Sequence, residues 1–270
     1  MRLLRFLMAV FFLCSCPPAW SAPILWRLIE TVRPKFNTYH PQGLVKIGNR
    51  FYLTSVEIRG DKDKQAGVGH LFEFDPEGNL LRRTTLGEGM MYHPGGIDYD
   101  GTSIWVPVAE YRPRSEAILY RVNPATLKAE EAFRAKDHLG AVVYNREAKT
   151  VVGMNWGAEA FYEWSPDGRL IRKVLNEVDD YSYQDCKYLQ GPAMLCSGTR
   201  QNANGGLTVV DLLDFSLIQD LHTIPRTLKK TLMTRNPMAI ESAGGGEAGR
   251  LRYYFMPEDN DGALYVFEIW

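Results

Sequence analysis

The chain contains few cysteines, no cluster of basic residues, no long apolar stretch past its first residues and almost no helical periodicity. Each shortage excludes something. No C-x-x-C or Cys/His spacing is present, so a structural zinc module is not expected. Past residue 21, nothing approaches the roughly 20 consecutive apolar residues that a membrane-spanning helix requires. The 31 Lys and Arg against 32 Asp and Glu give a formal net charge of −1, without the clustered cations that neutralise phosphates, so nucleic acid is not a partner. There is no Gly-x-Ser-x-Gly elbow, phosphate loop, H-E-x-x-H helix or dinucleotide fingerprint. Serine-hydrolase chemistry and nucleotide binding therefore have no sequence support.

What is present begins with a leader. Arg2 and Arg5 precede the apolar run Phe6–Cys14, and small residues follow. This is the order of a secretory signal, with cleavage expected after Ser21 in Ala19-Trp20-Ser21. A rival reading makes Cys16 a lipidated first residue. Residues 22–270 then form one periplasmic or secreted domain, expected to be a monomer, and Arg2 and Arg5 leave with the leader. Cys186 and Cys196 remain, flanking a tight hairpin. Export permits a disulfide between them, and two small buried hydrophobes is the alternative.

Short segments rich in Val, Ile, Leu, Tyr, Phe and Trp alternate with Gly, Pro, Asp and Asn, the pattern of an all-β protein. Five of them align: His40-Pro41-Gln42-Gly43, His93-Pro94-Gly95-Gly96, His138-Leu139-Gly140-Ala141, Tyr183-Gln184-Asp185-Cys186 and Asn236-Pro237-Met238-Ala239. Their starts lie 45 or 53 residues apart, and four-stranded propeller blades repeat about every 40–50 residues. An inner hairpin follows each start. A proline turn recurs in the outer hairpins, at Asp75-Pro76-Glu77-Gly78, Asn123-Pro124-Ala125-Thr126 and Ser165-Pro166-Asp167-Gly168. Proline presets the first turn angle there, and glycine permits a positive φ.

The fifth repeat stops after its third strand, Ala263–Trp270, while a spare strand, Ile24–Glu30, stands at the mature N-terminus. Donating that strand to the last blade closes a five-bladed β-propeller without long exposed edges. Thr223–Arg235 fits no blade and reads as a loop or short helix. Gly244-Gly245-Gly246 reads as a hairpin loop.

In such a ring, the start of each innermost strand and the end of the next one meet around the central channel. The first set is His40, His93, His138, Tyr183 and Asn236. The second, counted seventeen residues on and shifted in the last blade, is Glu57, Glu110, Asn155, Arg200 and Glu258. Three imidazoles with nearby carboxylates suit a divalent metal such as Zn, Mn or Ca. Glu57 or Glu110 would then be the base of a metal-assisted hydrolysis. In the structural alternative, each histidine bonds the neighbouring blade. Arg200 is either a buried ion pair or a clamp for an anionic group. Trp156, beside Asn155, is a candidate stacking face for a small-molecule or peptide ligand, and Tyr39, Tyr92, Trp105 and Tyr181 lie near the same points.

The inner and outer hairpins turned at Asp/Asn/Ser-Pro-x-Gly resemble small exported propellers, a superfamily that includes the lactonase-like and NHL-like groups and the plant-type glutaminyl cyclases. With its repeated Tyr-His-Pro and His-x-Gly segments, the chain resembles a family of exported five-bladed propellers without characterised activity. The resemblance implies the fold over Ile24–Trp270. It leaves two functions open: a ligand-binding protein with metal-assisted hydrolase or lactonase activity, or a non-enzymatic interaction module.

Overall fold

The computed structural model describes residues 25–60, 66–177, 181–200, 205–221, 226–227, 231–242 and 251–269. The expected leader, Cys16, the Gly244-Gly245-Gly246 segment expected to be a hairpin loop and much of Thr223–Arg235 lie outside them. Within the last segment, Arg226 and Leu232 form an isolated bridge.

Among the described residues, twenty-one strands build five antiparallel sheets arranged as a five-bladed β-propeller. Blade one is β2 (His40–Ile47), β3 (Arg50–Ile58), β4 (Gly67–Phe74) and β5 (Leu80–Leu86). Blade two divides its innermost strand into β6 (Met91–Pro94) and β7 (Asp98–Tyr99), followed by β8 (Ile104–Glu110), β9 (Ala117–Val122) and β10 (Ala129–Ala135). Blade three holds β11 (Leu139–Asn145), β12 (Thr150–Asn155), β13 (Ala160–Trp164) and β14 (Leu170–Leu175). Blade four holds β15 (Tyr181–Tyr188), β16 (Ala193–Arg200), β17 (Gly205–Asp211) and β18 (Leu217–Leu221).

Blade five combines β19 (Met238–Ser242), β20 (Leu251–Phe255) and β21 (Leu264–Ile269) with β1 (Trp26–Val32) from the other end of the chain. The closing pair is antiparallel and runs from Trp26 opposite Ile269 to Val32 opposite Leu264. The ring therefore closes as the unfinished repeat requires.

Alternation along each strand places apolar side chains between blades. Leu44, Leu53, Phe72 and Phe74 of blade one pack on Ala239, Tyr254, Leu264 and Val266 of blade five. Leu71 and Leu86 meet Ile104, Val106 and Val108 of blade two. Leu195 and Leu207 of blade four meet Met238, Phe255 and Phe267 of blade five. The repeated glycines have a related cause. A Cβ on Gly43 would lie 2.6 Å from the carbonyl oxygen of Gly95, and one on Gly95 would collide with the carbonyl of Gly140. Inner strands of consecutive blades thus approach backbone to backbone, and the Gly96 amide donates to the Gly140 carbonyl at 2.8 Å.

A buried ion pair fills the axis. The Asp185 carboxylate accepts from the backbone amides of Leu44 (3.1 Å), Ile97 (3.1 Å) and Met238 (3.2 Å), and from the Lys187 ammonium. Lys187 also donates to the Ile97 carbonyl at 2.6 Å. Blades one, two, four and five are tied at this point. Burial wins and raises the Asp185 carboxyl to about 7, against the Lys187 charge and the converging amides, which lower it.

The outer edges carry arginine clips. Arg82 bonds Glu73 of its own blade at 2.5 Å and reaches the carbonyls of Pro124 and Ala125 in the proline turn of the next blade. Arg172 repeats this with Glu163 and the carbonyls of Leu212 and Leu213. Cys186 and Cys196 face each other across the β15–β16 pair and are joined as a disulfide. Among the described residues, no helix is long and apolar enough to cross a membrane.

Candidate functional site

One end of the channel opens into a pocket of about 220 Å³ lined by His40, His93, His138, Asn155, Trp156 and Tyr183, together with Gln42, Tyr111, Ser182 and Gln184. Five expected ring residues, and Trp156 beside them, therefore share one cavity. Glu57, Glu110, Arg200, Asn236 and Glu258 are not in its wall.

His40 opens β2, His93 is the third residue of β6 and His138 immediately precedes β11, on three consecutive blades, but their rings do different things. His93 is buried, and its ring stacks on Tyr111 at 4.3 Å and 15° between planes. Its Nδ1 is buried without a hydrogen-bond partner among the described residues. Burial, and then the neighbouring His138 and His40, hold His93 well below the usual imidazole range, so the ring is neutral at pH 7. Nδ1 of His138 donates to the Glu110 carbonyl at 2.8 Å, which leaves the lone pair on Nε2. Burial also lowers His138. Its ring meets Trp156 edge-to-face at 4.7 Å. Trp156 opens a short 3-10 turn, Trp156–Ala158, and is 38% exposed, so its indole is available as a wall. His40 Nδ1 pairs with Asp259 Oδ1 at 2.7 Å.

The expected carboxylates lie elsewhere. Glu57 chelates Arg59 at 2.9 and 3.1 Å and accepts from His70 Nε2 at 2.9 Å, in a groove between blades one and two. Glu110 turns its side chain to Arg112 at 2.7 Å and gives the pocket only its carbonyl. Glu258 caps its own loop, accepting from the Ala263 amide and the Tyr265 hydroxyl, and its neighbour Asp259 is the carboxylate that meets His40.

The cause lies in the ladders. The inner pairs of blades one to four each carry a β-bulge or irregularity beside the repeat start: Pro41/Gly43, Met91/His93, Leu139/Ala141 and Tyr183/Asp185. The partner of His40 is Val56, and that of His93 is Ala109. In blades one and two a fixed count along the chain lands one residue past the true partner, and one residue reverses the face; in blade four it passes Gly198, the partner of Tyr183, and ends on Arg200.

Arg200 is an ion pair with Asp220, its guanidinium 4.5 Å over Tyr181, rather than a partner of ring carboxylates. Asn236 donates to the Pro257 carbonyl at 3.1 Å and to Asp259 at 3.2 Å. Asn155 is in the pocket wall, yet its amide is occupied by Asp137 and the Ala160 backbone. Among the described residues, no three His, Cys, Asp or Glu side chains converge as an ion would require.

Sequence reasoning missed Tyr111, Asp259, His70 and the Asp185–Lys187 pair. Asp185 and Lys187 were visible as charges inside an innermost strand. Tyr111 and Asp259 each follow a residue that was chosen.

The architecture defines a five-bladed propeller with a polar pocket at one channel mouth. The chain belongs to DUF6454, a family of unknown function, whose family model matches residues 21–269. No curated protein matches it. Among solved structures it is similar to a luciferin-regenerating enzyme, with a TM-score of 0.51 and 8% identity over 89% of this chain and 94% of that one. It is also similar to an engineered GH43 glycoside hydrolase with endo-xylanase and exo-arabinofuranosidase activity. There the TM-score is 0.55 and the identity 10%, over 89% of this chain but only 52% of that one. A protein of unknown function from Bacteroides caccae matches with a TM-score of 0.48 and 11% identity, over 82% of this chain and 72% of that one. At these identities the likeness is one of fold.

Proposed function

We propose that this protein is exported to the periplasm or beyond the cell, where it binds a small uncharged organic ligand, without a metal, in the pocket at the channel mouth. The observation that carries the reading is His93: a buried, neutral imidazole in the pocket wall with an unpartnered Nδ1. An unpaired buried polar atom costs about 1–3 kcal/mol, and a purely structural histidine would recover that cost through a bond to a neighbouring blade. The surrounding chemistry agrees. The wall offers amides from Gln42 and Gln184, a hydroxyl from Ser182 and the aromatic faces of Tyr111 and Trp156. None of the described residues that line it is Asp, Glu, Lys or Arg, so a charged ligand would lose hydration without finding a free counter-ion. Export is supported by the leader and by the joined Cys186 and Cys196.

The metal reading asks for three converging donors, and among the described residues no three His, Cys, Asp or Glu side chains are arranged to hold an ion. A thermal-shift screen of the chain from Ala22 to Trp270 against uncharged small molecules, with EDTA present, tests the proposal. Compounds should raise the wild-type Tm and leave that of Trp156→Ala unmoved. Equal responses in the two proteins, or responses only when zinc or manganese replaces EDTA, would overturn it.

A further inference from the structure

Beside the pocket lies a more open cavity of about 350 Å³, walled in part by Val56, Ile58, Arg235 and Asp259. Among the described residues, only His40 and Tyr111 line both. The two side chains at this junction are chemically complementary.

His40 is backed by a carboxylate. Its Nδ1–H donates to Asp259 at 2.7 Å, which puts the lone pair of the neutral ring on Nε2. Asp259 is itself held, accepting from Arg235 at 3.1 Å and Asn236 at 3.2 Å. Burial opposes its charge, but His40 and Arg235 prevail and keep the carboxyl at about 2. A permanent carboxylate on Nδ1 fixes the ring and stabilises the imidazolium formed when Nε2 accepts a proton. Tyr111 is positioned by its stack on His93, and its hydroxyl makes no hydrogen bond among the described residues. Burial, and then the Asp259 charge, raise the phenol, so it remains a donor at neutral pH.

Building on the reading of the pocket as a ligand site, we propose that this junction is an acid–base centre for metal-free hydrolysis of a neutral carboxylic ester. His40 is the base, and Tyr111 is the hydrogen-bond donor to the carbonyl oxygen. His40 Nε2 takes a proton from water as the water oxygen bonds to the carbonyl carbon. Tyr111 stabilises the oxyanion. The carbon–oxygen bond to the alcohol then breaks, and the imidazolium returns its proton to that oxygen, releasing acid and alcohol. Nothing is oxidised or reduced.

Two other reactions fit the junction less well. Glycoside hydrolysis uses two carboxyl groups, and among the described residues the walls of the two cavities hold one, Asp259, already bonded to His40. Phosphate esters would need a free cation, and Arg235 is paired.

The test is turnover of 4-nitrophenyl acetate and phenyl acetate by the chain from Ala22 to Trp270. Hydrolysis above the buffer rate is expected. His40→Gln should lower kcat/KM about 100-fold or more, and Tyr111→Phe about 100-fold, with Tm within a few degrees of wild type. Should His40→Gln fail to fold, Tyr111→Phe decides alone. Absence of wild-type turnover, or turnover unchanged in the variant that folds, overturns the proposal. If uncharged compounds still bind through Trp156 while neither ester is cleaved, the acid–base centre falls and the pocket stands. If neither binding nor cleavage is seen, both fall.

Discussion

At the scale of single residues, buried polar groups decide both stability and site. Asp185 gathers three backbone amides from three other blades and is neutralised by Lys187 of its own strand. Removing one member of a buried pair leaves an uncompensated charge, at about 3–5 kcal/mol. Lys187→Met should therefore destabilise the fold by that amount in urea titration, far more than an exposed Lys128→Met. His93 gives a pH signature. Its folded pKa lies below its unfolded value of about 6.5, so below that pH the unfolded chain binds a proton that the folded chain refuses. Stability should fall as the pH drops through about 6.5 and be fully present above it, with a slope of up to about 1.4 kcal/mol per pH unit. Urea titrations at pH 5.5 and 7.5 should show a smaller difference for His93→Asn than for wild type. Subtracting the variant separates His93 from the buried carboxyls, which titrate in other directions.

At the scale of elements, the strands follow from turn chemistry and alternation, and close approach governs the ring. Gly95 faces the Gly140 carbonyl with no room for a Cβ. Gly95→Ala should cost about 1–3 kcal/mol through overpacking and lower the Tm, whereas Gly140→Ala, where a Cβ would meet nothing nearer than 3.6 Å, should cost less. The same elements show what was legible. The five repeat starts, the proline turns and the donated strand could be read because they rest on spacing and turn residues, which the fold preserves. The histidine side of the pocket came with them. The carboxylate side did not, because the bulge beside each of four repeat starts shifts the ladder by one residue. Local sequence gives little warning of such a bulge. The contact that makes His40 a candidate base reaches Asp259, across the seam between the first and last blades.

At the scale of the whole molecule, the ring is held by interblade packing, by the axial ion pair and by the β1–β21 seam. That seam joins the two ends of the chain, so its loss should open the circle rather than trim it. Deleting residues 22–33 should remove cooperative thermal unfolding and expose the β21 edge to association, as followed by calorimetry and size-exclusion chromatography. A sharp transition at an unchanged Tm would mean that β1 adds little. Closure also bears on the pocket, since Asp259 precedes β21 and His40 opens β2 on either side of the seam.

The central claim, a metal-free ligand pocket at the channel mouth, is tested most directly by calorimetric titration of the strongest compound from the thermal-shift screen, in EDTA, into wild type and Trp156→Ala. The account predicts one molecule bound per wild-type chain and an affinity at least about tenfold weaker in the variant, a loss of about 1.4 kcal/mol, at an unchanged Tm. Equal affinity in the two proteins, or binding abolished by EDTA and restored by zinc, would contradict it.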